Sequence, residues 1–274
     1  VAAPAPEGTT MTDEQDRPHV RTDLDGDVHR ITLDRPATGN PVDLAMTAGF
    51  RTALRDRPEA ARAVLVLAEG PRFCVGGDVQ GFAAAPDPAA HIARLAAAWH
   101  EVVRALVTCP VPVLAGAHGA VAGAGVGLIG ACDLVVCGSS TKIRPAYGAI
   151  GLSPDGGTSW ALTRALGAPR ALDLVLTNGT LTAAEAHACG LVARVVADEE
   201  VHDAAITLAH QVAAGPVRAA VRTRALVRQA AVRTLDEQLD EEARLIAESA
   251  ADPEGREGVR AFVERRPPDF RGAG

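Results

Sequence analysis

Two short runs constrain this chain more than anything else in it. Ala63–Ala68 (AVLVLA) and Val111–Ala117 (VPVLAGA) lack any apolar–polar alternation, and both are flanked by helical stretches. A strand that is apolar on both sides must be covered on both sides, so the runs predict an α/β fold with a sheet buried on both faces. A third run, Leu134–Cys137, has the same character. Helical patterns over Leu44–Arg57 and His91–Val107 supply cover, the second stopped before Cys109-Pro110. Val20–Leu33 reads as two extended runs around Asp25-Gly26, a hairpin signal. After Thr158 the pattern is helical apart from Leu191–Val196. The resulting division is a flexible leader over 1–17, an α/β core over 18–200 and a helical region over 201–274. Met11 is a candidate natural start within the leader.

Composition narrows the class of function. Hydrophobic residues make up 47% and charged residues 22%, which excludes global disorder, while aromatics are only 3%. The core must therefore come from small and branched aliphatics. A net charge of −7 argues against nucleic acid as the main partner. No apolar run approaches the ~18 residues of a membrane-spanning helix. Residues 1–17 lack the basic start and apolar stretch of a signal peptide. Five cysteines without a CxxC pair fit small core residues in a reducing cytoplasm better than disulfides or a metal site.

The chemistry must lie in two glycine segments, each following a buried strand. Arg72-Phe73-Cys74-Val75-Gly76-Gly77-Asp78 pairs glycines that relieve the backbone and let N–H groups face a ligand. His118–Gly127 (HGAVAGAGVG) runs into an apolar helix, and such a turn presents free N–H groups at the positive end of a helix dipole. The segment lacks the GK[ST] ending of a P-loop and does not satisfy GxGxxG. Backbone donors aimed at a carbonyl oxygen that gains charge, an oxyanion hole, are the remaining use.

Together and in this order, these segments resemble the crotonase family of enoyl-CoA hydratases, isomerases and relatives. The resemblance extends through Leu33-Asp34-Arg35-Pro36 with Asn40-Pro41, through Ala131-Cys132-Asp133-Leu134, and through Ile150–Gly157 (IGLSPDGG). It continues in Leu181–Ala186 (LTAAEA) with Gly190-Leu191-Val192, and in Gly258–Arg265 (GVRAFVER). It implies a ββα spiral core with a helical C-terminal region that packs trimers or hexamers. It implies a coenzyme A thioester as substrate and no separate cofactor. The N–H groups of Val75 and Ala124 would grip the thioester oxygen, with Phe73, Gly76 and Gly123 shaping that loop pair. Phe262 and Arg265 would hold the adenine and phosphate end of CoA, often across a subunit boundary; otherwise Phe262 packs helices.

The sequence departs from the hydratase pattern where water is activated. The positions of the two glutamates that hold water in such hydratases fall on Gly127 and Tyr147. Hydration by two carboxylates is therefore disfavoured. A carboxylate instead stands at Asp155, where relatives carry an isomerase acid/base or a dehalogenase nucleophile. Asp155 is expected to carry a proton between two carbons, which one carboxylate can do; the plainer alternative is a helix cap. Tyr147 is expected to wall the acyl pocket, or to orient Asp155 or a substrate oxygen. Trp99, Phe82 and Trp160 could line the same pocket, whereas His100 and His118 read as ordinary core or surface residues. An acyl-CoA isomerase is the leading expectation, ahead of another hydratase, hydrolase or dehalogenase of the fold and of a silent acyl-CoA-binding scaffold.

Overall fold

The computed structural model describes residues 18–273; the leader assigned to 1–17 lies outside them. The chain opens with the expected hairpin, β1 (Val20–Asp25) and β2 (Val28–Leu33), turning at Gly26 with φ +60°. Helix α1 (Leu44–Arg55) begins where the Asp43 carboxylate accepts the Met46 N–H at 2.7 Å and ends ahead of Pro58. There follow β3 (Ala63–Ala68), α2 (Val79–Ala84), α3 (Pro88–Val107), β4 (Val113–Ala117), β5 (Ala120–Ala122), α4 (Ala124–Ala131), β6 (Leu134–Gly138) and β7 (Lys142–Arg144). The remainder is α5 (Thr158–Leu166), α6 (Ala168–Leu176), β8 (Leu181–Thr182), α7 (Ala183–Ala188), β9 (Arg194–Val196), α8 (Val201–Ala213), α9 (Val217–Gln229), α10 (Leu235–Ala251) and α11 (Pro253–Glu264).

Six strands form one sheet in the order β1-β2-β3-β4-β6-β9, parallel throughout except for the opening hairpin. A small second sheet, β5-β7-β8, stands behind the glycine-rich turn. The uniform apolarity of β3 now has its cause. Val64, Val66 and Ala68 enter the main core with residues of α1, α3 and α4, while Ala63, Leu65 and Leu67 meet Ala205, Leu208 and Ala209 of α8. Helix α8 is thus the second cover of the sheet, so the core extends beyond residue 200 and the helical region set apart at 201 begins inside it.

Helix α9 is fastened to that core by arginine. Arg224 and Arg228 reach Asp133 at 3.2 and 2.9 Å. Arg224 also donates to the Cys109 carbonyl, and Arg228 donates to those of Val107 and Ala131 at 3.0 and 2.9 Å. Glu254 at the start of α11 is buried and binds Arg62 at 3.1 Å and the Arg218 N–H at 2.9 Å. These groups satisfy strand and helix ends that the fold would otherwise bury unpaired.

Candidate active site

The two glycine segments meet as read from the sequence, but the N–H groups sort differently. The loop after β3 is laid against β5: Cys74 N–H donates to Ala120 O at 3.2 Å, and Ala122 N–H returns to Cys74 O at 2.8 Å. On its other side, Val42 N–H donates to Gly76 O at 2.7 Å and Asp78 N–H donates to Val42 O at 3.0 Å. Gly76 has φ +98°, and a Cβ there would stand 3.2 Å from both Ala122 O and Gly123 Cα. Only glycine permits that approach.

Val75 cannot serve as the expected donor, because its N–H is spent on Gly39 O at 3.1 Å. Val75 still lines the cavity described next. The N–H of Gly77 has no acceptor among the described residues, and neither has that of Ala124 at the first turn of α4. Both residues line the same cavity. Gly77 and Ala124, and not Val75, are thus the loop residues whose N–H groups are left open to the cavity. Asp78 keeps this loop in place by accepting the Gly81 N–H and capping α2.

The cavity measures about 470 Å³, a volume that suits a small-molecule group. Val42, Val79, Phe82, Ile92, Leu95 and Trp99 give it an apolar wall. Gly76, Gly123, Tyr147 and Asp155 line it as well. Asp155 is held by Tyr147: the buried phenol donates to Asp155 Oδ1 at 2.8 Å. Thr158 Oγ1 lies 3.2 Å from the phenol oxygen and donates to Gly123 O at 3.3 Å. Burial, and then the neighbouring Asp155 charge, push the Tyr147 pKa far up, so it stays a neutral donor. Ala146, just before it, has φ +64°, a left-handed conformation that costs an alanine about 1–2 kcal/mol.

The cap reading of Asp155 does not survive. Helix α5 starts after Gly157 without a side-chain cap; only the Asp155 backbone carbonyl receives the Thr158 N–H, at 3.0 Å. Its carboxylate is committed to Tyr147 and the cavity instead. The space next to it is closed to a further carboxylate. A Cβ on Gly127 would lie 2.0 Å from Gly156 O and 2.9 Å from Gly156 C, well inside contact distance.

Four expected residues stand apart from the cavity. Phe73 is fully buried in the main core, and its N–H pairs with His118 O. It packs; it does not line the cavity. Phe262 on α11 is 84% exposed and Arg265 ends that helix with φ +56°. Neither lines the cavity of its own chain. Trp160 is exposed, with Arg164 stacked 4.6 Å over its ring, and lies off the cavity. His118 contacts Gly70 O at 2.7 Å and the His202 ring. Sequence reasoning passed over His100, whose Nε2 accepts the Gly156 N–H at 3.1 Å and stands 3.9 Å from Asp155 Oδ2. Nothing in the spacing of α3 announces that contact. All five cysteines are free thiols, and burial pushes Cys74 beneath the loop up to about 11, so it offers no thiolate nucleophile.

The Enoyl-CoA hydratase/isomerase family model matches residues 23–273. The chain belongs to that family. A Rhodobacter capsulatus protein named "Probable enoyl-CoA hydratase" is 34% identical, over 92% of this chain and 98% of its own. The 1,2-epoxyphenylacetyl-CoA isomerase of Escherichia coli is 35% identical, over 89% and 95%. The crystal structure of a Mycobacterium abscessus protein described as an enoyl-CoA hydratase/isomerase superposes with a TM-score of 0.87 at 34% identity, covering 92% of this chain and 98% of that one. The sheet, the spiral of strands and helices, and the C-terminal helices are thus those of the crotonase fold, and the chain is an enzyme of this family. No described helix is long and apolar enough to cross a membrane.

Proposed function

We propose that the enzyme is an acyl-CoA isomerase that moves a double bond by carrying one proton between carbons of the acyl group. The N–H groups of Gly77 and Ala124 receive the thioester oxygen and stabilise the enolate as negative charge gathers on it. Asp155 takes the proton from carbon 2 of a 3-enoyl thioester and returns it at carbon 4, leaving the 2-enoyl product. Tyr147 keeps one carboxylate oxygen occupied, so the other carries the proton. No water is consumed, and the step calls on no metal or redox group. The observation that carries this reading is the closed space at Gly127: the Gly156 carbonyl occupies the place of a hydratase's first glutamate, and a phenol occupies that of the second. The similarity to an isomerase of an aromatic-derived CoA epoxide supports the same class of reaction and widens the acyl groups to be tried.

The C-terminal residues enter through assembly. Val259, Phe262 and Val263 are 65%, 84% and 75% exposed on α11, an apolar set that supports packing into a trimer or a hexamer. Arg265 would then reach CoA bound in an adjoining subunit. A cytoplasmic setting fits the five free thiols.

The test is a panel of 3-enoyl-, 2-enoyl- and saturated acyl-CoAs, followed by absorbance and mass. Conversion of 3-enoyl to 2-enoyl without change of mass is the expected result. Addition of a water to the 2-enoyl compound would replace the proposal with hydration, and binding without conversion would replace it with a scaffold.

A further inference from the structure

His100 projects from α3 onto the turn that carries Asp155. Accepting the Gly156 N–H requires a lone pair on Nε2, so the ring is neutral with its proton on Nδ1. The turn has few other ties. Gly156 and Gly157 are consecutive left-handed residues with φ +59° and +83°, and the helix that follows has no side-chain cap. The Asp155 carboxylate is fixed through Oδ1 by Tyr147, while Oδ2 makes no hydrogen bond among the described residues and points to within 3.9 Å of His100.

We propose that His100 is a positioning residue: its neutral ring anchors the Gly156 N–H and so keeps Asp155 Oδ2 free to carry the substrate proton. This rests on the assignment of Asp155 as that carrier. Protonation of His100 would remove the lone pair, release the turn and place a cation beside Oδ2, which would pair with the ring instead of facing substrate.

The surroundings add no competing charge. From α1, Arg51 is paired with Glu101 at 2.6 Å and Arg55 with Asp56 at 2.7 Å. Helices α2 and α4 carry no ionisable side chain, and Arg164 of α5 lies over Trp160. On α3 itself, His91, Arg94, Glu101 and Arg104 are the other ionisable groups, and Glu101 is the one paired with Arg51. Within ion-pair reach of His100, only Asp155 is found among the described residues.

The experiment compares wild type, His100→Leu and His100→Gln in kcat and KM on a 3-enoyl-CoA. The leucine leaves Gly156 N–H without an acceptor and is expected to lower kcat about tenfold, the effect of one lost hydrogen bond, with KM nearly unchanged. Glutamine can accept through Oε1 but cannot be protonated. It should recover most of that kcat. A leucine variant with wild-type kcat, or a glutamine variant as impaired as the leucine one, would overturn the proposal. Nitrogen-15 spectra of the wild-type imidazole provide a readout separate from turnover, with the Nδ1–H tautomer expected and the Nε2–H tautomer overturning it. If wild type moves no double bond, the functional reading falls while the tautomer still tests the anchor. If wild type is active and Asp155→Asn inactive but the His100 variants behave as wild type, only the anchor falls.

Discussion

Helix α9 and the acyl cavity spend their polar groups in opposite ways. On α9, Arg224 and Arg228 carry five donors each into a half-buried seam, and most of their reach ends on the carbonyls of Val107, Cys109 and Ala131 and on Asp133. In the cavity, Gly77 N–H, Ala124 N–H and Asp155 Oδ2 stand without hydrogen-bond partners among the described residues, amid an apolar wall. Unpaired polar groups near an apolar surface cost stability, and the cost is tolerable only where a ligand completes them. Position relative to the strand ends, more than charge, separates the groups that hold this fold from those that await a substrate.

Three substitutions set that contrast at risk, the largest effect first. Ala124→Pro deletes a donor assigned to the thioester oxygen and should raise the barrier by about 3–4 kcal/mol, a rate loss of at least a hundredfold. Circular dichroism must accompany the assay, because proline also bears on the turn at Gly123. A folded variant with normal turnover would break the assignment. Arg228→Leu should do the reverse. Stranding the Val107 and Ala131 carbonyls is expected to cost about 1–3 kcal/mol of stability, seen in urea denaturation, while kcat per folded molecule stays level. A large loss of kcat without loss of stability would erase the distinction between the two regions. Tyr147→Phe is the mildest of the three. Removing the phenol donor frees Asp155 Oδ1 and should slow turnover about threefold to tenfold, with little change in melting temperature. An unaltered rate would reduce Tyr147 to a wall residue.

How far the sequence could be read follows the same division. The buried strands β3, β4 and β6, the hairpin at Gly26, and the placing of Ala124, Tyr147 and Asp155 around one cavity depend on local pattern and motif, and all were legible. The donor in the first loop was not, because whether Val75 or Gly77 keeps a free N–H is decided by Gly39, far upstream in the chain. Phe73 looked like part of a binding loop, yet it pairs its N–H with His118 O and lies buried in the core. The anchor at His100 is a contact between a helix and a distant turn, and α8 covers the sheet across a boundary drawn from the helical pattern. Each of these is a tertiary decision that no spacing encodes.

The central claim is that one carboxylate, held by Tyr147 and left half free, carries the proton. The most direct measurement follows Asp155→Asn on a 3-enoyl-CoA in deuterated water, scoring double-bond migration and deuterium entering the acyl chain. Asparagine keeps the size of the side chain and an oxygen for the Tyr147 hydroxyl, so folding and melting temperature should be preserved. The account predicts migration slowed by about two to four orders of magnitude, with deuterium uptake lost in parallel. Wild-type migration and uptake in the well-folded variant would contradict it.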